Sequence, residues 1–287
     1  MQISRVQPIQ ALQNWLLLKF VFTRIQQTVQ LVPNKMTSTS ITLDEAEVKR
    51  HAKLSFDWWE RNGKLQGLHS LNQLRIPWAV KVLSDPGLPK TSKPLAGLKI
   101  LDIGCGGGLA TEEFAKLGAE VTGVDPCQEL IDIAKAHCTV DEVVAANKPK
   151  YYCTTVEEHA GDFPEYYDAI MASEVLDHVI NRKLFLEKCT TVMKPGGKIF
   201  ITCPNRTLMA RFLVIFIAEN VINQIPKGLH TYEKFMKPEE VTDLLEKNNC
   251  KVDDVHGMFY FPLIDKWLWV FFQTKWYGLL ATKLKNK

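Results

Sequence analysis

Residues 101–125 read LDIGCGGGLATEEFAKLGAEVTGVD and place glycines at 104, 106, 107 and 108, between a short apolar run and a helical pattern. A succession of glycines raises the entropy of the unfolded chain and contributes nothing to a core, so it persists where backbone must turn tightly or approach a ligand closely. The first strand-to-helix turn of a parallel sheet is such a place. Two ligand chemistries use it, phosphate and adenosine. A dinucleotide fingerprint G-x-G-x-x-G started at Gly104 would need its third glycine where Leu109 stands, and no Gly-Lys-Ser/Thr follows for a phosphate loop. Asp125 closes the next strand, about 20 residues beyond the first glycine, the distance at which a carboxylate accepts hydrogen bonds from both hydroxyls of a ribose. The hydride-transfer reading is weakened, and adenosine is implied either way.

The surrounding pattern supplies the sheet. Residues 98–103 read as a buried strand, 109–117 as a helix and AEVTGVD as a second strand. CQELIDIAKAHC is helical, KYYCTTVEEHA begins as a strand, and YDAIMASEV is a strand entering a helix that carries His178. LFLEKCTTVMKPGGKIFITCPN follows as helix, Pro-Gly-Gly turn and strand. Alternation of this kind predicts an α/β fold with a mostly parallel central sheet and helices on both faces. Residues 44–97 are expected to hold helices over 44–83 and a Pro/Gly/Ser linker. The domain proper is expected over 98–262, with an insertion near 205–235 and an aromatic, basic tail over 263–287.

A net charge of +3 on 287 residues, without a basic block, argues against nucleic acid as partner. The 7 cysteines include no C-x-x-C pair, which removes a disulfide framework and a thiolate zinc site and fits a reducing compartment. Cys105, inside the glycine run, could be a nucleophile but reads as a small filler of a tight loop. Residues 1–43 carry Arg5, Lys19, Arg24 and Lys35 and no acid, the composition of a mitochondrial transit segment.

Asp102 ahead of the run, GCGGG, Asp125 and the MKPGG turn together resemble the cofactor motifs of Rossmann-like class I methyltransferases, which use S-adenosylmethionine. SFDWWERNGKLQGLHSLNQLRIPW, TTVEEHA, ASEVLDHV and IPKGLHTYEKFMKPEE resemble successive segments of the ubiquinone-biosynthesis O-methyltransferases, over residues 56–262. That resemblance implies methylation of polyprenyl dihydroxybenzoate and demethylubiquinol. It also implies that Arg75 meets the methionine carboxylate of the cofactor, that Gly104 lies against it, that Asp125 holds its ribose and that Ser173 lines its pocket. A guanidinium fork suits a carboxylate.

The same resemblance associates a divalent metal, Mg²⁺ or Mn²⁺ by its oxygen ligands, with Glu174, Asp177 and His178; Asp177 stands where a glutamate is usual. If a helix has begun by Glu174, the three share one face, and two carboxylates with an imidazole form a mixed O/N site. A helix start with a packed histidine is the plain alternative. Methyl transfer to a phenol needs loss of a proton held near pKa ~10, by a chelated cation or by a histidine. His178 and His230 are both candidates for the second role, and no catalytic base is assigned.

A polyprenyl substrate implies peripheral contact with a membrane, here the matrix side of the mitochondrial inner membrane, and the family implies a multi-protein quinone-biosynthesis complex. Residues 208–222 suit a lid or interfacial helix. The tail mixes aromatics with lysines, which fits either an anionic membrane surface or a last core strand with a basic end. A non-catalytic cofactor-binding scaffold, a methyltransferase for another small molecule, and a nicotinamide oxidoreductase are the competing functions.

Overall fold

The structure is a computed structural model that describes residues 45–53, 55–84, 92–210 and 232–285. The expected transit segment, most of the 205–235 insertion and His230 lie outside the described residues.

Two helices precede the sheet, α1 (Glu45–Ala52) and α2 (Gln66–Leu83), with a 3-10 turn at Ser55–Asp57 between them. The alternating part follows as β1 (Lys99–Ile103), α3 (Leu109–Lys116), β2 (Glu120–Asp125), α4 (Gln128–His137), α5 (Glu142–Asn147), β3 (Lys150–Cys153), α6 (Val156–Asp162), β4 (Tyr167–Ser173), α7 (Arg182–Val192) and β5 (Met193–Pro204). The chain closes with α8 (Pro238–Lys247), β6 (Cys250–Phe261), β7 (Lys266–Val270) and β8 (Trp276–Lys283). The eight strands form one sheet in the order β3-β2-β1-β4-β5-β8-β6-β7. β1 to β5 pair in parallel, whereas β8 is antiparallel to both β5 and β6. The order reverses between β1 and β4, and a switch point of this kind opens a crevice at the carboxyl ends of the strands.

Alternation along the strands assigns the faces. Leu101 and Ile103 of β1, Ile170 and Ala172 of β4, and Ile199 and Ile201 of β5 share one buried cluster. Ile100, Ala169, Met171 and Phe200 point the other way, into a cluster with Ile76 and Ala79 of α2. By the same two-residue period, Asp102, Ser173 and Thr202 fall on the α2 face. This is what lets a helix residue such as Arg75 meet the end of β4.

Three expectations need correction. MKPGG is not a turn between helix and strand: β5 runs through it, and the register with β4 jumps from Tyr167↔Met193 to Ala169↔Lys198. Gly196 sits there at φ +83, and a Cβ on Gly197 would lie 2.9 Å from Lys194 O and 3.1 Å from Asp168 O, so the glycines serve a bulge. The domain does not stop at 262, because β8 lies inside the sheet. Finally, the helix expected to carry His178 is only a 3-10 turn over Leu176–His178, after Glu174 at φ +59.

Candidate active site

The glycine loop turns back on itself at the end of β1. Gly104, Gly106 and Gly108 all have positive φ (66°, 53° and 93°), the region that L-residues avoid. Gly104 N and Cys105 N both donate to Val124 O, at 2.8 and 3.1 Å, which fastens the loop to the end of β2. Two indoles of the Trp58–Trp59 pair press on it. A Cβ on Gly106 would lie 2.1 Å from the Trp58 ring, and Trp59 Nε1 donates to Gly107 O at 3.1 Å. Trp59 in turn stacks on His137 with ring centres 3.4 Å apart. The bareness of residues 106–107 therefore accommodates an indole of this chain as well as any ligand. Cys105 is buried, and burial pushes its thiol well above its ordinary range, which fits the filler reading rather than a nucleophile.

Asp125 stands at the loop's edge, its Oδ2 accepting from Gly106 N (3.0 Å) and Oδ1 from Cys127 N (2.8 Å). Burial raises its carboxyl to about 6 against these two bonds, with the charge of Asp102 adding to the rise. Asp102 accepts from Thr111 Oγ1 at 2.6 Å, and burial raises its pKa too.

Arg75 is 6% exposed and reaches across from α2. Its Nε donates to Asn72 Oδ1 (2.8 Å) and its Nη1 to Ser173 Oγ (2.7 Å). Asn72 Nδ2 donates to Leu109 O (2.8 Å), tying α2 to the start of α3. From Ser173 the polar chain continues: Ser173 Oγ and Thr202 Oγ1 are 2.6 Å apart, Thr202 Oγ1 donates to Glu174 Oε1 (2.7 Å), and Trp276 Nε1 donates to Glu174 Oε2 (3.1 Å). Arg75, Gly104, Asp125 and Ser173, the four residues that the resemblance placed on the cofactor, thus stand at or beside the carboxyl ends of β1, β2 and β4. Burial works against the Arg75 charge, and Asp102 and Glu174 support it.

A second cluster adjoins them. His178 lies between two carboxylates, with Nε2 3.5 Å from Asp177 Oδ2 and Nδ1 3.4 Å from Glu47 Oε2. Glu47 is buried on α1, and its Oε1 accepts from Arg50 Nη2 (3.0 Å) and Lys234 Nζ (2.9 Å). Burial would raise the Glu47 pKa, but His178 and Lys234 outweigh it and hold the carboxyl at about 2. The His51 ring meets His178 edge-on at 4.8 Å, and burial together with the His178 charge lowers its pKa to about 4. For His178 burial is opposed by Asp177 and Glu47, and the net direction is upward. Glu47 and His51 escaped sequence reasoning. They lie far upstream of His178, and the acids of DEAEVKRH look like an ordinary helix start.

The metal expectation does not fit this geometry. Both oxygens of Glu174 are engaged by Thr202 and Trp276, while Asp177 and His178 pair on the far side of a positive-φ residue. The helix that was to align the three does not form, and among the described residues no three His, Cys, Asp or Glu side chains gather as a metal site.

A methyltransferase-domain family model matches residues 101–201. Ubiquinone biosynthesis O-methyltransferase, mitochondrial, of Rattus norvegicus is 43% identical over 241 residues, covering 82% of this chain and 68% of its own length. The Homo sapiens protein of that name is 42% identical over 237 residues, with 82% and 64% covered. Ubiquinone biosynthesis O-methyltransferase of Rhizobium etli is 39% identical over 228 residues, with 79% and 90% covered. The chain therefore spans about two thirds of its mammalian relatives and nine tenths of the bacterial one. Among solved structures, magnesium protoporphyrin IX methyltransferase from Synechocystis PCC 6803 with bound SAH superposes with a TM-score of 0.59 at 18% identity, over 84% of this chain and all of that one, which shows the shared fold. With 39–43% identity over about four fifths of its length, the chain belongs to the ubiquinone biosynthesis O-methyltransferases.

Proposed function

We propose that the chain moves the methyl group of S-adenosylmethionine to a catechol hydroxyl of a polyprenyl-substituted ring, as polyprenyl dihydroxybenzoate and demethylubiquinol carry. The observation that carries this reading is the meeting of two clusters at one end of the sheet, the cofactor residues Arg75, Gly104, Asp125 and Ser173 and the imidazole–carboxylate group of His178, Asp177 and Glu47. In the first, Asp125 accepts from the ribose, the glycine loop lets the cofactor lie against backbone, and Arg75 presents a guanidinium to the methionine carboxylate.

The reaction is a displacement. The catechol oxygen forms a bond to the methyl carbon, the carbon–sulfur bond breaks with its electron pair going to sulfur, and S-adenosylhomocysteine leaves. The phenolic proton passes to the neutral imidazole of His178. Asp177 and Glu47 stabilise the imidazolium that results, as a carboxylate does for any histidine base.

The substrate's lipid tail and the mitochondrial names of the rat and human relatives support a peripheral place on the matrix side of the inner membrane, within a quinone-biosynthesis complex. No helix among the described residues is long and apolar enough to cross a membrane. The test is a product assay with soluble and prenylated catechol side by side, with wild type and His178→Ala. Methylated catechol from wild type, and a rate for His178→Ala that recovers as pH approaches the phenol pKa of ~10, are expected. Absence of product from both substrates overturns the reading.

A further inference from the structure

The adjacent indoles of Trp58 and Trp59 are satisfied unequally. Trp59 Nε1 donates to Gly107 O at 3.1 Å, and its ring is held further by the stack on His137, whose Nδ1 lies 2.8 Å from Glu112 Oε1. Trp58 is only 7% exposed, yet its buried Nε1 has no hydrogen-bond partner among the described residues. An indole N–H can only donate, and leaving a buried donor unpaired is destabilising. On the edge of a ligand crevice, such a group points to an acceptor on the ligand. The Trp58 ring lies along the glycine loop, its six-membered half against Gly106 and its pyrrole half against Gly107. A Cβ on Gly107 would stand 2.8 Å from Trp58 Nε1.

Helix α2 relates that N–H to Arg75. His69, Asn72 and Arg75 recur every third residue and so follow one face of the helix. His69 Nε2 donates to Trp58 O at 2.9 Å, Asn72 Nδ2 to Leu109 O at 2.8 Å and Arg75 Nη1 to Ser173 Oγ at 2.7 Å. The stripe thus runs from the Trp58 main chain, past the start of α3 directly after the glycine loop, to the end of β4. From His69 to Arg75 the helix rises about 9 Å, a separation that two long side chains close from opposite ends. In the amino-acid half of the cofactor, the sulfonium and the ammonium carry positive charge and offer an N–H no acceptor. The carboxylate has about four lone-pair sites, more than the guanidinium fork of Arg75 fills.

We infer that Trp58 is a second donor to the methionine carboxylate of the cofactor, through Nε1, and that Trp59 is the anchor that holds the turn of residues 55–59 against the glycine loop. The inference rests on the cofactor assignment made above. It is tested by calorimetry of the full chain with two adenosine thioethers, S-adenosylhomocysteine and 5′-methylthioadenosine, the second of which lacks the amino-acid half. Trp58→Phe keeps an aromatic ring and loses the N–H. It binds S-adenosylhomocysteine about tenfold more weakly than wild type does, and methylthioadenosine equally well. Trp58→benzothienylalanine puts sulfur in place of the N–H at nearly the same volume. It gives the same pair of results with an unchanged thermal midpoint, which keeps the test decisive if phenylalanine leaves a destabilising gap. Trp59→Phe weakens both ligands alike, because it loosens the loop and not the carboxylate contact. Wild-type affinity for S-adenosylhomocysteine in the benzothienylalanine variant overturns the inference. So does an equal loss for both ligands, which would put the N–H on adenosine or on the loop. Failure of wild type to bind S-adenosylhomocysteine overturns the cofactor assignment and the inference with it, whereas binding that both position-58 variants leave unchanged overturns the inference alone.

Discussion

Asp125 offers the most quantitative test of the cofactor pocket. Its carboxyl is held at about 6 in the folded chain against 3.8 for a free aspartate side chain, chiefly by burial. The folded protein thus binds this proton more tightly than the unfolded chain does. The resulting penalty is absent below about pH 4, grows as pH rises, and is complete above about 6, where it is on the order of 3 kcal/mol at ~1.4 kcal/mol per pKa unit. Ribose hydroxyls donate to the ionised form, so cofactor binding must expel whatever proton is present. Affinity for S-adenosylhomocysteine should therefore be flat above about pH 7 and fall about tenfold by pH 5, with proton release on binding. Asp125→Ala should weaken binding by roughly 1.5–3 kcal/mol at neutral pH, the worth of hydrogen bonds to a charged group, and abolish the pH slope. Calorimetry from pH 5 to 8, in two buffers of different ionisation enthalpy, reads both quantities. A flat affinity for wild type, or the same slope in Asp125→Ala, would refute the assignment of the ribose to this carboxylate.

Glu47→Gln removes one of the three carboxylates that raise the His178 pKa, so the low-pH limb of kcat/KM, where His178 must lose its proton to act as base, should move to lower pH. An unmoved limb would separate His178 from proton transfer. The depressed Glu47 pKa adds stability that is full above about pH 4.5 and lost as pH falls toward 2; acid unfolding of Glu47→Gln followed by circular dichroism should show a shallower slope in that window. Gly106→Ala combines φ +53 with a Cβ 2.1 Å from Trp58, and should cost about 1–3 kcal/mol and shift the tryptophan emission, which thermal melts and fluorescence will show. Arg75→Lys keeps the charge but loses the fork, and should raise the cofactor KM while leaving the fold intact; an unchanged KM would take Arg75 off the methionine carboxylate.

Local features are legible in the sequence. The glycines at positive φ, Asp125 at the end of β2 and the parallel alternation all depend on short stretches whose spacing is set by backbone geometry. Arg75 depended on the resemblance, since a lone arginine on a helix carries no signal of its own. Contacts between distant segments were not legible. Trp276 meets Glu174 because the sheet order sets β8 beside β5, and Glu47 reaches His178 from a helix far upstream in the chain. The metal set is not brought together, for a different reason. It presumed a helix from Glu174, and a single residue at φ +59 replaces that helix with a tighter turn, so three residues with suitable chemistry no longer share a face. MKPGG reads as a turn by composition because a bulge and a turn make the same demand on glycine.

β8, the last strand in chain order, is inserted between β5 and β6 rather than added at an edge. A nascent chain that has delivered everything up to β7 still lacks the strand that joins the two halves of the sheet. Its β5 and β6 would each present an open row of backbone donors and acceptors, the template on which chains aggregate. Closure then depends on contacts between segments far apart in sequence, which is a slow step. The kinetics of assembly should accordingly be governed by residues 276–283, and a premature stop within them should yield a product that chaperones and proteases intercept although Arg75, the glycine loop, Asp125 and Ser173 have all been made.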